Sequence, residues 1–196
     1  MIRALALLLL LTPAALPAQD LPALYDVTGV AVNDVLNIRA EPRADAARLG
    51  DLPPDAANVE VIQTADGWGL VNAGEGAGWV AMRFLAPQAG GDYALSRSLS
   101  CFGTEPFWSL DFTQGELARF SSPAWGISHY TVGLLQRSAN RTDRYLLQGG
   151  TLVAVIGRTA CNDGMSDRRF GLSVDLLPDV EGDAGLYSGC CSLTGN

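Results

Sequence analysis

The chain has 196 residues, a net charge of −8 and a pI near 4.5. Such acidity leaves no basic face for the phosphates of nucleic acid or for an anionic lipid surface. All 13 basic residues are Arg, which excludes Schiff-base chemistry and a lysine general base.

In chain order, Met1-Ile2-Arg3 carries one positive charge, Ala4 to Leu11 is an unbroken apolar run, and a Pro/Ala-rich stretch ends in Leu16-Pro17-Ala18. This three-part pattern predicts a secretory signal peptide over residues 1–18. The apolar run is shorter than the roughly 20 residues a spanning helix needs, and no later segment is long enough, so no membrane span is expected after signal cleavage. The expected location is periplasmic or secreted.

Residues 25–86 read as short strands with frequent turn signals. Val27 to Val32, Val35 to Arg39 and Val59 to Thr64 are β-rich, and Pro42 to Leu49 is turn-forming. Trp68 to Val71 and Trp79 to Met82 flank a Gly-rich loop over residues 72–78. A linker is expected over residues 87–98, where Gly and Pro break the pattern. Beyond it, Trp108, Leu110 and Phe112 alternate with polar residues as in a half-buried strand. Gln114-Gly115 and Gly149-Gly150 are tight-turn signals. Further strands are expected at Leu117 to Phe120, Ile127 to Gln136, Tyr145 to Gln148, Thr151 to Ile156, Phe170 to Leu177 and Leu186 to Ser192. About seven strands in roughly a hundred residues indicate a closed all-β domain over residues 99–196.

The first of these regions carries a family signature. Leu36-Asn37-Ile38-Arg39-Ala40-Glu41-Pro42, then Leu49-Gly50-Asp51-Leu52, Gly67-Trp68 and Gly78-Trp79-Val80 resemble the bacterial SH3-like (SH3b) domain, a small β-barrel of envelope proteins and cell-wall enzymes. The resemblance implies a shallow groove that binds cell-wall stem peptides. Tyr25, Trp68 and Trp79 are the aromatic candidates, since rings give large contact area at low entropic cost. Asp34, Asp66 and Glu75 are candidates to meet cationic groups. Trp79 also fits a core position, and Arg39 a structural salt bridge. Leu36 and Ile38 are expected to point inward, with Asn37 and Arg39 outward. Gly67 and Gly78 are each expected to make a turn before a Trp. The family often has Gly just before the strand at Val59, where this chain has Ala56-Ala57-Asn58, which implies a differently shaped loop.

All four cysteines fall in the second half, at Cys101, Cys161, Cys190 and Cys191, which points to a disulfide framework. A bond between adjacent cysteines closes a strained ring, so the residues leave two pairings open, each joining Cys101 and Cys161 to the 190/191 pair. Gly103-Thr-Glu-Pro-Phe-Trp108, Cys161-Asn-Asp-Gly-Met-Ser-Asp-Arg168 and Gly189-Cys190 together resemble an uncharacterised family of bacterial envelope domains. Most members of that family have a single Cys near the end, which implies Cys161–Cys190, with Cys101–Cys191 as an additional bond. The motif candidates are Glu105, Phe107, Trp108, Asp163, Met165, Ser166, Asp167 and Arg168. The Asp163–Arg168 string lacks the ligand count and terminal Glu of a Ca²⁺ loop. It reads instead as a self-bonded turn, with Gly164 at positive φ and Arg168 paired to a carboxylate such as Glu105.

Enzymatic readings fall by subtraction. His129 is the only histidine, the cysteine count is even, and no Gly-rich phosphate loop is present. No metal and no cofactor are expected. The sequence reads as an all-β exported protein, an SH3-like small barrel followed by a disulfide-stapled antiparallel β-barrel or sandwich. Its expected role is non-catalytic binding of a peptidoglycan peptide or an envelope protein. The alternative is a small-ligand-binding or inhibitor β-barrel with its function in the C-terminal domain.

Overall fold

The computed structural model describes residues 20–88, 94–178 and 185–193. The expected signal peptide and residues 89–93 of the expected linker lie outside the described residues. No α-helix occurs among the described residues.

Two short sheets form the first unit. One has β1 (Ala23–Val27) between β4 (Val59–Val61) and β8 (Leu85–Pro87). The other is ordered β3 (Arg48–Leu52), β2 (Leu36–Arg39), β7 (Gly76–Ala81), β6 (Trp68–Ala73), β5 (Gln63–Ala65). Apolar residues at every second position close them over one core that includes Tyr25, Leu36, Ile38, Val61, Val71 and Val80. Leu36 and Ile38 point into it while Asn37 and Arg39 face outward.

Several local expectations change. The stretch from Val27 to Val32 is not a strand: the strand ends at Val27, and Val32 stands exposed in the loop that follows. Leu49 belongs to β3 rather than to a turn. The Gly-rich run over 72–78 is not a loop, because β6 and β7 continue through it to a two-residue turn at Gly74-Glu75, where Gly74 has φ +58°. Gly78 makes no turn. It lies within β7, where a Cβ would stand 2.5 Å from Ile38 Cγ2, so its glycine admits the core side chain opposite. Before Val59, Asn58 takes φ 58° and supplies the left-handed residue in place of Gly.

The second unit is one nine-stranded antiparallel sheet curled into a half-barrel. Its order is β12 (Gly126–Thr131), β11 (Leu117–Ser122), β10 (Phe107–Thr113), β9 (Ser98–Thr104), β17 (Tyr187–Ser192), β16 (Phe170–Leu177), β15 (Leu152–Cys161), β14 (Arg144–Gly149), β13 (Gln136–Arg137). Nine strands replace the seven expected for two reasons: Ser98–Thr104 forms β9 ahead of the first expected strand, and Ile127 to Gln136 is not one strand but leaves β12 and crosses to β13 at the other edge. Along this crossing, Val132 N donates to Glu116 O and Gly133 N to Gln148 O, both at 3.1 Å, tying the two edges together. Gln114 adds a side-chain tie, its Oε1 accepting from Leu135 N at 2.9 Å. The space inside the curl is filled by Trp108, Leu110, Phe120, Tyr145, Leu147, Ile156 and their neighbours.

Two disulfides staple this sheet. Cys101 joins Cys191, directly opposite it on the neighbouring strand, and Cys161 joins Cys190. Adjacent residues of a strand face opposite sides, so Cys190 and Cys191 serve two partners without competing. The bonds place the chain in an oxidising, extracytoplasmic setting. No helix among the described residues is long and apolar enough to cross a membrane.

The two units touch. Asn72 in β6 donates through Nδ2 to Arg169 O and accepts at Oδ1 from Arg169 N, both at 2.9 Å, so one side-chain amide pairs with a main-chain residue as a strand would. Asp167 N donates to Glu75 O at 2.9 Å, and Ser192 Oγ donates to Glu60. Gly171 abuts the Pro22 ring, where a Cβ would come within 2.8 Å of it.

Candidate functional site

The first cleft encloses about 380 Å³ in the N-terminal unit. Its floor is the outward side of the larger sheet, where Asn37 and Arg39 alternate with core residues. Asp66 and Gly67, at φ 49° and 80°, turn the chain so that Trp68 enters β6 opposite Ala81. The facing wall is the 28–35 loop, hung from Phe84 by Thr28 N at 2.9 Å. Within that loop Asp34 Oδ1 accepts from Val35 N at 2.8 Å. Arg39 donates through Nη1 to Ala46 O at 2.9 Å, and the Arg83 guanidinium lies 4.5 Å above the Phe84 ring. Trp68, Phe84, Arg39, Arg83, Asn37 and Asp34 thus surround one space.

Only Asp34 and Trp68 of the six groove candidates reach this cleft. Tyr25 is buried in the core, and burial pushes its phenol above the ordinary value. Asp66 is spent on the turn. Glu75 sits at the β6–β7 turn on another cleft. Trp79 is outward on β7 between Leu70 and Arg39 and does not line the space. Arg39 makes no salt bridge among the described residues; its anchor is the Ala46 carbonyl. Arg83, Phe84 and Asn37 were not singled out in the sequence. For Asn37 the signal was present, since alternation with Leu36 and Ile38 turns it outward. Arg83 and Phe84 follow β7 in a single 3₁₀ turn over Met82–Phe84, which no period announces.

The second cleft, about 510 Å³, lies where the motif strings meet the N-terminal unit. Its base is the Trp108 indole, which packs on two glycines. A Cβ at Gly103 would lie 2.3 Å from Trp108 Nε1, and one at Gly189 2.9 Å from Trp108 Cζ2. Phe107 and Met165 are exposed on its rim, with Ser166, Arg168 and Glu75 beside them. Asp163 organises the adjoining turn: Oδ1 accepts from Met165 N and Ser166 N at 3.0 and 2.9 Å, and Oδ2 from Ser166 Oγ at 2.8 Å. Gly164 takes φ 73° in this turn. Thr104 Oγ1 donates to Asp163 O at 3.0 Å and fixes the turn to β9. Asp167 contributes its backbone amide to Glu75, as described above. Glu105 is exposed in the β9–β10 turn, does not line the cleft and forms no ion pair with Arg168, whose guanidinium lies 5.2 Å from the Phe170 ring.

No family model, curated protein or solved structure matches the chain.

The two clefts therefore stand on their own chemistry. In the second, the Asp163 carboxylate is committed to its own turn. Burial raises the pKa of Asp163, but the hydrogen bonds from Ser166 and Met165 and the charge of Arg168 together outweigh it and hold the carboxyl below its ordinary value. The first presents two guanidiniums, an amide and two aromatic rings to one space, a set suited to holding a ligand. His129 lies in neither cleft: it is exposed on the edge strand β12, opposite Arg119.

Proposed function

We propose that the chain is an exported, non-catalytic binding protein of the bacterial cell envelope, periplasmic or secreted. Its N-terminal unit acts as an SH3-like module that takes a cell-wall peptide in the cleft at Trp68. The observation that carries this reading is the preformed cleft itself. Trp68 and Phe84 offer apolar faces, while Arg39, Arg83, Asn37 and Asp34 offer the few polar groups that orient a ligand. The size suits a few peptide residues. The two disulfides support an oxidising compartment. The second unit, packed against the first through Asn72, Glu75 and Glu60, serves as its rigid support.

Co-sedimentation of the purified full chain with purified peptidoglycan tests the reading. Trp68→Ala is expected to weaken association by about 1–3 kcal/mol, roughly 5- to 150-fold. Equal sedimentation of the variant and the parent protein, with matching circular dichroism, removes Trp68 from the site.

A further inference from the structure

We infer that the cleft at Trp68 selects a peptide by its free α-carboxylate, held between Arg39 and Arg83. The inference rests on the reading of that cleft as a peptide site. It reverses the charge expected from the sequence, where Asp34, Asp66 and Glu75 pointed to a cationic ligand. Of those three only Asp34 lines the cleft, and one of its oxygens already accepts from Val35 N.

The guanidiniums are the larger charge there. Neither Arg39 nor Arg83 pairs with a carboxylate among the described residues. The acids nearby in the chain are engaged elsewhere. Glu41 and Asp45 pair with Arg43 at 3.0 and 2.9 Å, and Asp51 pairs with Arg48. In a chain of net charge −8, two arginines left to face one cleft are a local reversal of sign. Both are held in place. Arg39 spends one N–H on Ala46 O, and Arg83 rests on the Phe84 ring. A guanidinium has five donors, so each keeps most of its hydrogen-bonding capacity for a ligand. Their planar fork matches a carboxylate in two parallel bonds. Asn37 adds an amide, and Trp68 and Phe84 cover the apolar part of the terminal residue.

The test is calorimetric titration of the full chain with two synthetic stem peptides, one ending in a free carboxylate and the other identical but amidated. The acid form is expected to bind about tenfold or more tightly than the amide, the loss of one charge-assisted contact. Arg83→Gln, at an exposed residue whose guanidinium rests on the Phe84 ring, is expected to bring the two peptides to near-equal affinity. Arg39→Gln is expected to do the same, but it also loses the Ala46 tie, so Arg83→Gln is the deciding variant. Equal affinity for acid and amide, with Trp68→Ala weakening both, overturns the carboxylate inference and leaves the peptide cleft standing. An acid preference that survives Arg83→Gln unchanged also overturns it. Failure of both peptides to bind removes the peptide reading of the cleft, and the inference falls with it.

Discussion

Placing alanine at Gly103 is expected to destabilise the second unit chiefly through the Trp108 side chain. The new Cβ would lie 2.3 Å from Trp108 Nε1, 2.7 Å from Cε2 and 3.1 Å from Cδ1, and no other residue is among these three nearest atoms. Carbon contacts settle near 3.5–4.0 Å, so the indole must move by about 1 Å or more. It cannot swing out freely, being 4% exposed and stacked against Phe120. Overpacking of this kind costs about 1–3 kcal/mol, and the depth of the overlap puts Gly103→Ala near 3. Trp108→Leu removes the obstruction. In that background Gly103→Ala should cost about zero, or gain up to roughly 0.5 kcal/mol because Ala suits a strand better than Gly. The double-mutant cycle should therefore return a coupling of about 3 kcal/mol. Gly189 is the control. A Cβ there would stand 2.0 Å from Phe102 O, a main-chain atom of the neighbouring strand, so Gly189→Ala should remain costly in both backgrounds. Urea titrations followed by circular dichroism measure all four quantities. An equal cost for Gly103→Ala with and without the indole would refute the reasoning.

Asn72→Ala deletes both amide bonds to Arg169 and should cost about 1–2 kcal/mol; hydrogen exchange should then show the Arg169 amide losing protection while the centre of β16 keeps its own. The Asp163 carboxyl is depressed in the folded state, so its stabilising contribution is full above the unfolded value of about 3.9 and is lost as pH falls through the lower folded value. Asp163→Asn should accordingly flatten the fall in melting temperature on acidification below about pH 4, seen in paired thermal melts. Replacing Cys161 and Cys190 together by Ser removes a link across a sequence separation of 29, which the chain-entropy model values at about 3–4 kcal/mol. Differential scanning calorimetry should show the loss in the second unit, with the core around Val61 and Val80 affected much less.

Much of the strand framework is legible in the chain. Strict alternation at Leu36/Ile38 and at Trp108/Leu110/Phe112 marks the inward side, because a strand's period of two leaves no other arrangement of a half-buried sheet. Gly67 is legible as a turn before Trp68, because glycine takes positive φ at little cost. Illegible are features set by a distant neighbour. Gly78 looks like a turn residue because its reason for being glycine, the Ile38 side chain, lies 40 positions away in the chain. Gln114 looks like turn filler but is buried, because its side chain ties residues 96 and 135. The binding candidates scattered for a related reason. Aromatic and acidic residue types were readable, but which of them share a space depended on the 28–35 loop folding over one sheet face. That fold brings in Arg39 and Arg83 and leaves Tyr25, Asp66, Glu75 and Trp79 outside.

Nuclear magnetic resonance tests the central claim most directly. Soluble peptidoglycan fragments would be titrated into the full chain labelled with ¹⁵N. A peptide seated in the Trp68 cleft should shift the Trp68 indole N–H, the amides of residues 29–37 and those of Arg83 and Phe84, and leave the rest in place. Shifts confined to Phe107, Met165 and Ser166, or no saturable shifts at all, would contradict the account.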